Sequence, residues 1–176
     1  FIHQVVYPVY FKHLGMSDGL SQVSVMSIYQ DCLGRMWFGT REGVSIYDGE
    51  RMRVYKGWEN LDPESSINVL LGHECDHLTG NRQGDIFFRT CDSLVRYDIR
   101  EEKFCVVSGC KAKTITSADG DIWTGYDDMV CRYDEKGDSL QLYAKTNTPG
   151  ISSLLISGKK IWIGTYEGLY VIEEDK

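Results

Sequence analysis

No stretch of this 176-residue chain is apolar for anything near the ~20 residues that a membrane-crossing helix needs. Positive charge is in short supply. Nineteen Lys and Arg face 26 Asp and Glu, a formal net charge of −7. An acidic chain gains nothing by displacing counterions from phosphate, so nucleic acid is not an expected partner; the charge reads as a solubility feature. The six cysteines (Cys32, Cys75, Cys91, Cys105, Cys110 and Cys131) form no CxxC pair and are irregularly spaced. Their even number permits disulfides without demanding them, and most read as small buried hydrophobes. There is no GxSxG elbow, no P-loop and no GxGxxG turn, and nothing calls for a cofactor. The first residue is Phe1 rather than Met, from which we expect a trimmed or excised product whose targeting signal lay upstream.

What the chain does have is repetition. A turn, an aromatic-centred apolar strand, a short loop and a second strand recur four times. The copies run Gly34-Arg35-Met36-Trp37-Phe38-Gly39-Thr40 to Tyr47-Asp48, Gly84-Asp85-Ile86-Phe87-Phe88 to Tyr97-Asp98, Gly120-Asp121-Ile122-Trp123-Thr124-Gly125 to Tyr133-Asp134, and Lys160-Ile161-Trp162-Ile163-Gly164-Thr165 to Ile172-Glu173. The anchor aromatics Trp37, Phe87, Trp123 and Trp162 are 50, 36 and 39 residues apart. A period of roughly 40 residues means a solenoid or a propeller, and the long first gap places an insertion in the second copy.

Around the first anchor the pattern is that of four short strands. Val23, Val25, Ser27 and Tyr29 alternate with Ser24, Met26 and Ile28; Met36 to Thr40, Val44 to Tyr47 and Met52 to Tyr55 follow, separated by turn residues. Four antiparallel strands joined by tight turns make a propeller blade. The fold class expected is therefore all-β, a partial β-propeller of about four four-stranded blades in a single unit over 1–176. Blade one spans about 20–56, blade two about 66–107, blade three about 111–144 and blade four about 150–176, the last lacking its outer strand. Tyr10 to Leu14 reads as a strand-like piece with no local partner, able to supply the outer strand of a last blade. Between Trp58 and Leu78, Asp62-Pro63 reads as a helix N-cap and first residue. Ile67, Leu70, Leu71, Cys75 and Leu78 would then share one helical face.

Phe11, Asp18-Gly19-Leu20-Ser21-Gln22, Val25 to Asp31, Gly34 to Thr40, Gly43 and Tyr47-Asp48-Gly49 resemble the two-component-regulator propeller repeat. Blade four is similar to it through Ile161 to Thr165 and Gly168-Leu169. Blade two departs from it, with Arg89 where the strand glycine belongs. The resemblance implies the extracytoplasmic sensor region of a hybrid two-component system of the Bacteroides type. Such sensors detect oligosaccharides and signal through a membrane span to a histidine kinase, both outside this chain. It therefore implies a periplasmic location, no catalysis in this segment and contact with the membrane only through an absent downstream segment.

Two motifs could carry chemistry. His73-Glu74-Cys75-Asp76-His77 has the HExxH spacing, which on a helix holds a zinc and a general base. On a strand, where the repeat puts these residues, the geometry is wrong for that, and no metal site is expected. Ser117 to Trp123 resembles the Asp-box turn of sialidase propellers, one residue short, and that turn is itself structural. The Trp-x-Gly aromatics read as packing between blades. The ligand-facing candidates come from topology: the loops between second and third strands share a face with the inter-blade loops. They supply Arg41, Glu42, Asp92, Tyr126, Asp127, Asp128, Tyr166 and Glu167, with Trp58 and Glu59 between blades. Rings can stack on sugar C–H faces and carboxylates can accept from hydroxyls. Two alternatives stand beside this reading. The resemblance to other bacterial propellers of similar repeat implies a propeller-type lyase or glycan-cleaving enzyme, and the open blade edges suit a non-catalytic assembly module in which two copies pair head to tail.

Overall fold

The computed structural model describes residues 10–56, 73–107, 109 and 111–173. Within them the protein is all β apart from one 3-10 turn at Met16–Asp18. Blade one is β1 (Val25–Gln30), β2 (Met36–Thr40), β3 (Gly43–Tyr47) and β4 (Met52–Tyr55). Blade two is β5 (Asp76–Gly80), β6 (Ile86–Thr90), β7 (Ser93–Asp98) and β8 (Lys103–Val106). Blade three is β9 (Thr114–Ala118), β10 (Asp121–Tyr126), β11 (Met129–Asp134) and β12 (Ser139–Lys145), and blade four is β13 (Ile151–Ser157), β14 (Lys160–Thr165) and β15 (Gly168–Glu173). Each sheet is an antiparallel meander in chain order, with four strands in the first three and three in the last. The first strands follow one another around the arc: β5 packs on β1, β9 on β5 and β13 on β9.

Local chemistry sets the turns. Asp31 closes the β1–β2 turn by accepting from Leu33 N at 3.0 Å and Arg35 N at 2.9 Å. Its other oxygen accepts from Arg35 Nε at 2.7 Å and from the indole Nε1 of Trp37 at 2.8 Å. The turn aspartate thus also orients the anchor ring. Asn81 takes the same place in blade two, accepting from Asp85 N at 2.8 Å. Blade three turns on Asp119-Gly120 alone, with φ of 51° and 82°, the left-handed pair of a tight hairpin.

The apolar core lies between blades rather than within them. Trp37, Val44 and Ile46 of blade one pack with Ile86, Phe88, Val95 and Tyr97 of blade two. Phe87 and Leu94, on the opposite face of blade two, pack with Ile122, Cys131 and Tyr133 of blade three. Trp123 and Val130 then pack with Ile161 and Ile163 of blade four. At two junctions an anchor ring meets the third-strand tyrosine of the next blade edge to face. Trp37 lies 4.8 Å from Tyr97, and Phe87 4.9 Å from Tyr133, both at 65°. The packing expected of the Trp-x-Gly rings therefore holds for Trp37 and Trp123, and Phe87 packs in the same way in blade two, whereas Trp162 is only partly covered, on the outer face of blade four. The outward faces of the terminal sheets carry exposed apolar side chains, Ile28 on β1 and Leu155 and Val171 on β13 and β15.

Two expectations about single segments differ. The expected helix between Trp58 and Leu78 lies mostly outside the described residues, and its described end is strand, because Asp76 to Gly80 pair with β6. Residues 10–14 form no strand here, and Tyr10 and Phe11 are almost fully exposed.

Candidate ligand-binding face

One end of the blades is built from the loops that follow the second strands. Threonine makes the turn: Thr40 Oγ1 accepts from Glu42 N at 3.1 Å and donates to Gly43 O at 3.1 Å. Thr165 does the same with Glu167 N at 3.2 Å and Gly168 O at 3.0 Å. Each loop also holds the start of the next blade. Gly43 N donates to His73 O at 3.0 Å, Ala112 N to Asp92 O at 2.8 Å and Ile151 N to Asp127 O at 2.9 Å. These hydrogen bonds put the second-to-third-strand loops and the inter-blade segments on one face.

The residues singled out from the sequence sit on that face one blade after another. Arg41 and Glu42 form the blade-one loop, and Arg41 Nε lies 3.8 Å from Glu74 at the start of blade two. Tyr126 ends β10, where the other blades have threonine, and Lys111 Nζ lies 5.5 Å from its ring centroid. Asp127 has φ of 53° and spends its carbonyl on blade four. Asp128 lies 3.5 Å from Lys145 Nζ. Tyr166 is highly exposed, and Glu167 beside it is fixed through its backbone. Trp58 and Glu59 lie outside the described residues. The structure thus spreads these side chains along the arc, one loop to each blade.

The charge on this face is concentrated at blade two. Arg89 reaches both carboxylate oxygens of Asp76, through Nε at 2.8 Å and through Nη2. Its Nη1 lies 3.6 Å from Asp92. His77 has φ of 53°, at a bulge in β5, and its Nδ1 stands 2.9 Å from Asp76. Burial alone would raise the Asp76 pKa, but the hydrogen bonds from His77 and Arg89 outweigh it and bring it down to about 2. A carboxylate charged at neutral pH can only accept, so Nδ1 of His77 carries the proton. This is where the HExxH spacing falls. Its residues run from an irregular segment into β5, so the two histidines do not share the helical face a zincin needs. The sequence signal for the cluster was Arg89 in the glycine's place; its partner Asp76 was legible only as an interior residue of the HExxH pattern.

No family profile matches the chain. A stretch of 59 residues is 41% identical to histidine kinase P4 of Formosa agariphila, covering 34% of this chain and 4% of the kinase. The fold is similar to the extracellular domain of a hybrid two-component system from B. thetaiotaomicron, with a TM-score of 0.76 and 25% identity over 92% of this chain. That stretch is 25% of the solved domain, so the chain spans a quarter or less of these two proteins. Virginiamycin B lyase from Staphylococcus aureus shares the fold alone, at a TM-score of 0.54 and 18% identity over 88% of this chain and 57% of the lyase. No helix among the described residues is long and apolar enough to cross a membrane. The chain folds as β-propeller blades and is similar, over nearly all its length, to the extracellular domain of a Bacteroides hybrid two-component system.

Proposed function

We propose that this chain is part of the periplasmic sensor of a hybrid two-component histidine kinase, and that it detects oligosaccharides on its loop face. The observation that carries the reading is the similarity, in sequence as well as shape, to the extracellular domain of such a system. The face itself supports a hydroxyl-rich ligand: it offers exposed carboxylates, Arg41, and the rings of Tyr126 and Tyr166. In the intact receptor, sugar binding shifts the kinase only if affinity differs between its two signalling states. Catalysis is not proposed for this segment. Calorimetric titration against a panel of oligosaccharides tests the reading. Saturable binding that weakens when Tyr166→Ala or Asp127→Ala is introduced is the expected result; silence across the panel overturns it.

The exposed apolar side chains on the outward faces of blades one and four favour a second reading, assembly with a second copy. A mass by light scattering that doubles with concentration supports it, and a constant monomer mass removes it.

A further inference from the structure

Blade two breaks the repeat at one position, and the break is matched on both strands. In blades one, three and four the glycine near the end of the second strand faces a small hydroxyl residue across the sheet: Gly39 faces Ser27, Gly125 Thr114 and Gly164 Ser153. In blade two the same pair is Arg89 and Asp76. The glycines exist for close approach. A Cβ at Gly39 would overlap the carbonyl oxygen of Cys75 in the next blade, and one at Gly125 would lie 2.5 Å from Ile151 Cγ2. Arginine cannot accept that approach, and β6 meets β9 less closely than β2 meets β5 or β10 meets β13. In blade two the place of the glycine and its hydroxyl partner is therefore filled with charge.

Stability does not explain the exchange. Replacing a glycine and a hydroxyl residue by a mostly buried ion pair gains little or nothing once desolvation is counted. Beside the pair lies an open hollow of about 470 Å³ lined by His73, Glu74, Arg89, Cys91 and Asp92. Its described lining is polar and offers no Phe, Tyr or Trp ring, so hydrogen bonds are the main hold on a ligand there. Among the described residues of the lining Arg89 is the one Lys or Arg, and it faces Asp76 and Asp92, while Arg41 beside the mouth lies 3.8 Å from Glu74. Glu74 and Asp92 are each partly exposed at the mouth.

We propose that this hollow is a subsite for an uncharged sugar residue, and that it discriminates against acidic sugars. The proposal rests on the oligosaccharide-sensing reading and locates its site. Glu74 and Asp92 accept from neighbouring hydroxyls, charge-assisted bonds of roughly twice the neutral strength. The Arg89–Asp76 pair sets the floor, with the His77 ring fixed by Asp76. A uronate would place its carboxylate against Glu74 and Asp92, where the described cations, Arg41 and Arg89, already face carboxylates.

The test titrates the whole chain with neutral galacto- and xylo-oligosaccharides and with oligogalacturonate of equal length. A neutral oligosaccharide should bind at least about tenfold more tightly than the uronate, and Asp92→Asn should weaken it about tenfold, roughly one strong hydrogen bond. The double change Arg89→Gly with Asp76→Ser rewrites the pair as the other blades have it. It should abolish binding while leaving the near-ultraviolet circular dichroism of the folded protein intact. Tighter uronate binding overturns the charge argument. Unchanged neutral-sugar binding in both Asp92→Asn and the double variant places the site elsewhere and leaves the sensing reading standing. Absence of binding by every sugar overturns both.

Discussion

Gly39→Ala should be among the most damaging single-methyl changes in this protein, and Gly164→Ala among the mildest at an equivalent position. The added methyl at 39 would overlap the Cys75 carbonyl oxygen and lie 3.1 Å from its carbon. Both are backbone atoms, held by the 2.8 Å hydrogen bond from Cys75 N to Thr40 O. They can yield only if blade two shifts against blade one. Overpacking of this kind costs ~1–3 kcal/mol, and weakening the inter-blade hydrogen bond adds about 1 kcal/mol. Alanine returns roughly 0.4–1 kcal/mol by restricting the unfolded chain. The net expectation is a loss of about 2–3 kcal/mol. At 164 the same methyl meets the hydroxyl of Ser153, with the Ser153 Cβ at 3.6 Å. A change of serine rotamer relieves it, so the expected cost stays below about 1 kcal/mol. Urea denaturation followed by circular dichroism, with m held in common, measures the difference. Equal midpoints for the two variants, or a Gly39→Ala protein as stable as the parent, would refute the claim that backbone contact between blades is what demands this glycine.

Acid should weaken the fold through two aspartates. Burial opposes ionisation of Asp31 and Asp76, but hydrogen bonds from Trp37 and Arg35, and from His77 and Arg89, lower both pKa values, Asp76 to about 2. Unfolded aspartate titrates near ~3.9, so their contribution is complete above that value and lost as pH falls toward 2. Urea midpoints at pH 5, 3.5 and 2.5 should decline, and Asp76→Asn should flatten the decline; a curve of unchanged slope contradicts the assignment. Arg96 bonds Asp85 at 3.1 Å, Asp98 at 3.0 Å and, across the blade junction, Asp138 at 3.0 Å. Arg96→Ala leaves three carboxylates facing one another and should cost ~2–4 kcal/mol, more than Asp138→Ala alone. Thermal melts of both variants decide it, with the order reversed if the cluster is only a solvated surface feature.

The architecture was legible because the fold repeats and the repeat has a chemical reason. The Trp37, Phe87 and Trp123 positions recur because each blade must offer a large ring to the next, and the turn residues around Asp31 and Asp119-Gly120 recur because the hairpins need them. What was not legible depends on register. Asp76 and Arg89 are 13 residues apart, and only the bulge in β5 brings them level. The apolar spacing of Cys75 and Leu78 suits a helix as well as a strand, and pairing with β6 decides for the strand. Tyr10 to Leu14 alternates well enough to be a strand, but a strand also needs an edge to pair with, and sequence pattern alone does not provide one. For the loop residues, topology gave the face but not the interactions. Lys111 over Tyr126 and Arg41 near Glu74 join residues from segments whose meeting depends on how successive blades stack.

Because every hydrophobic cluster is shared by two neighbouring blades, the sheets are unequal in the protection they give their amides. Among the described residues, blades two and three are covered on both faces and blades one and four on one. Hydrogen exchange should be slowest in β6 and β10 and fastest in β15, grading outward from the middle of the arc. No single blade holds a complete core, so the smallest cooperative unit is a pair of blades together with the ring packed between them.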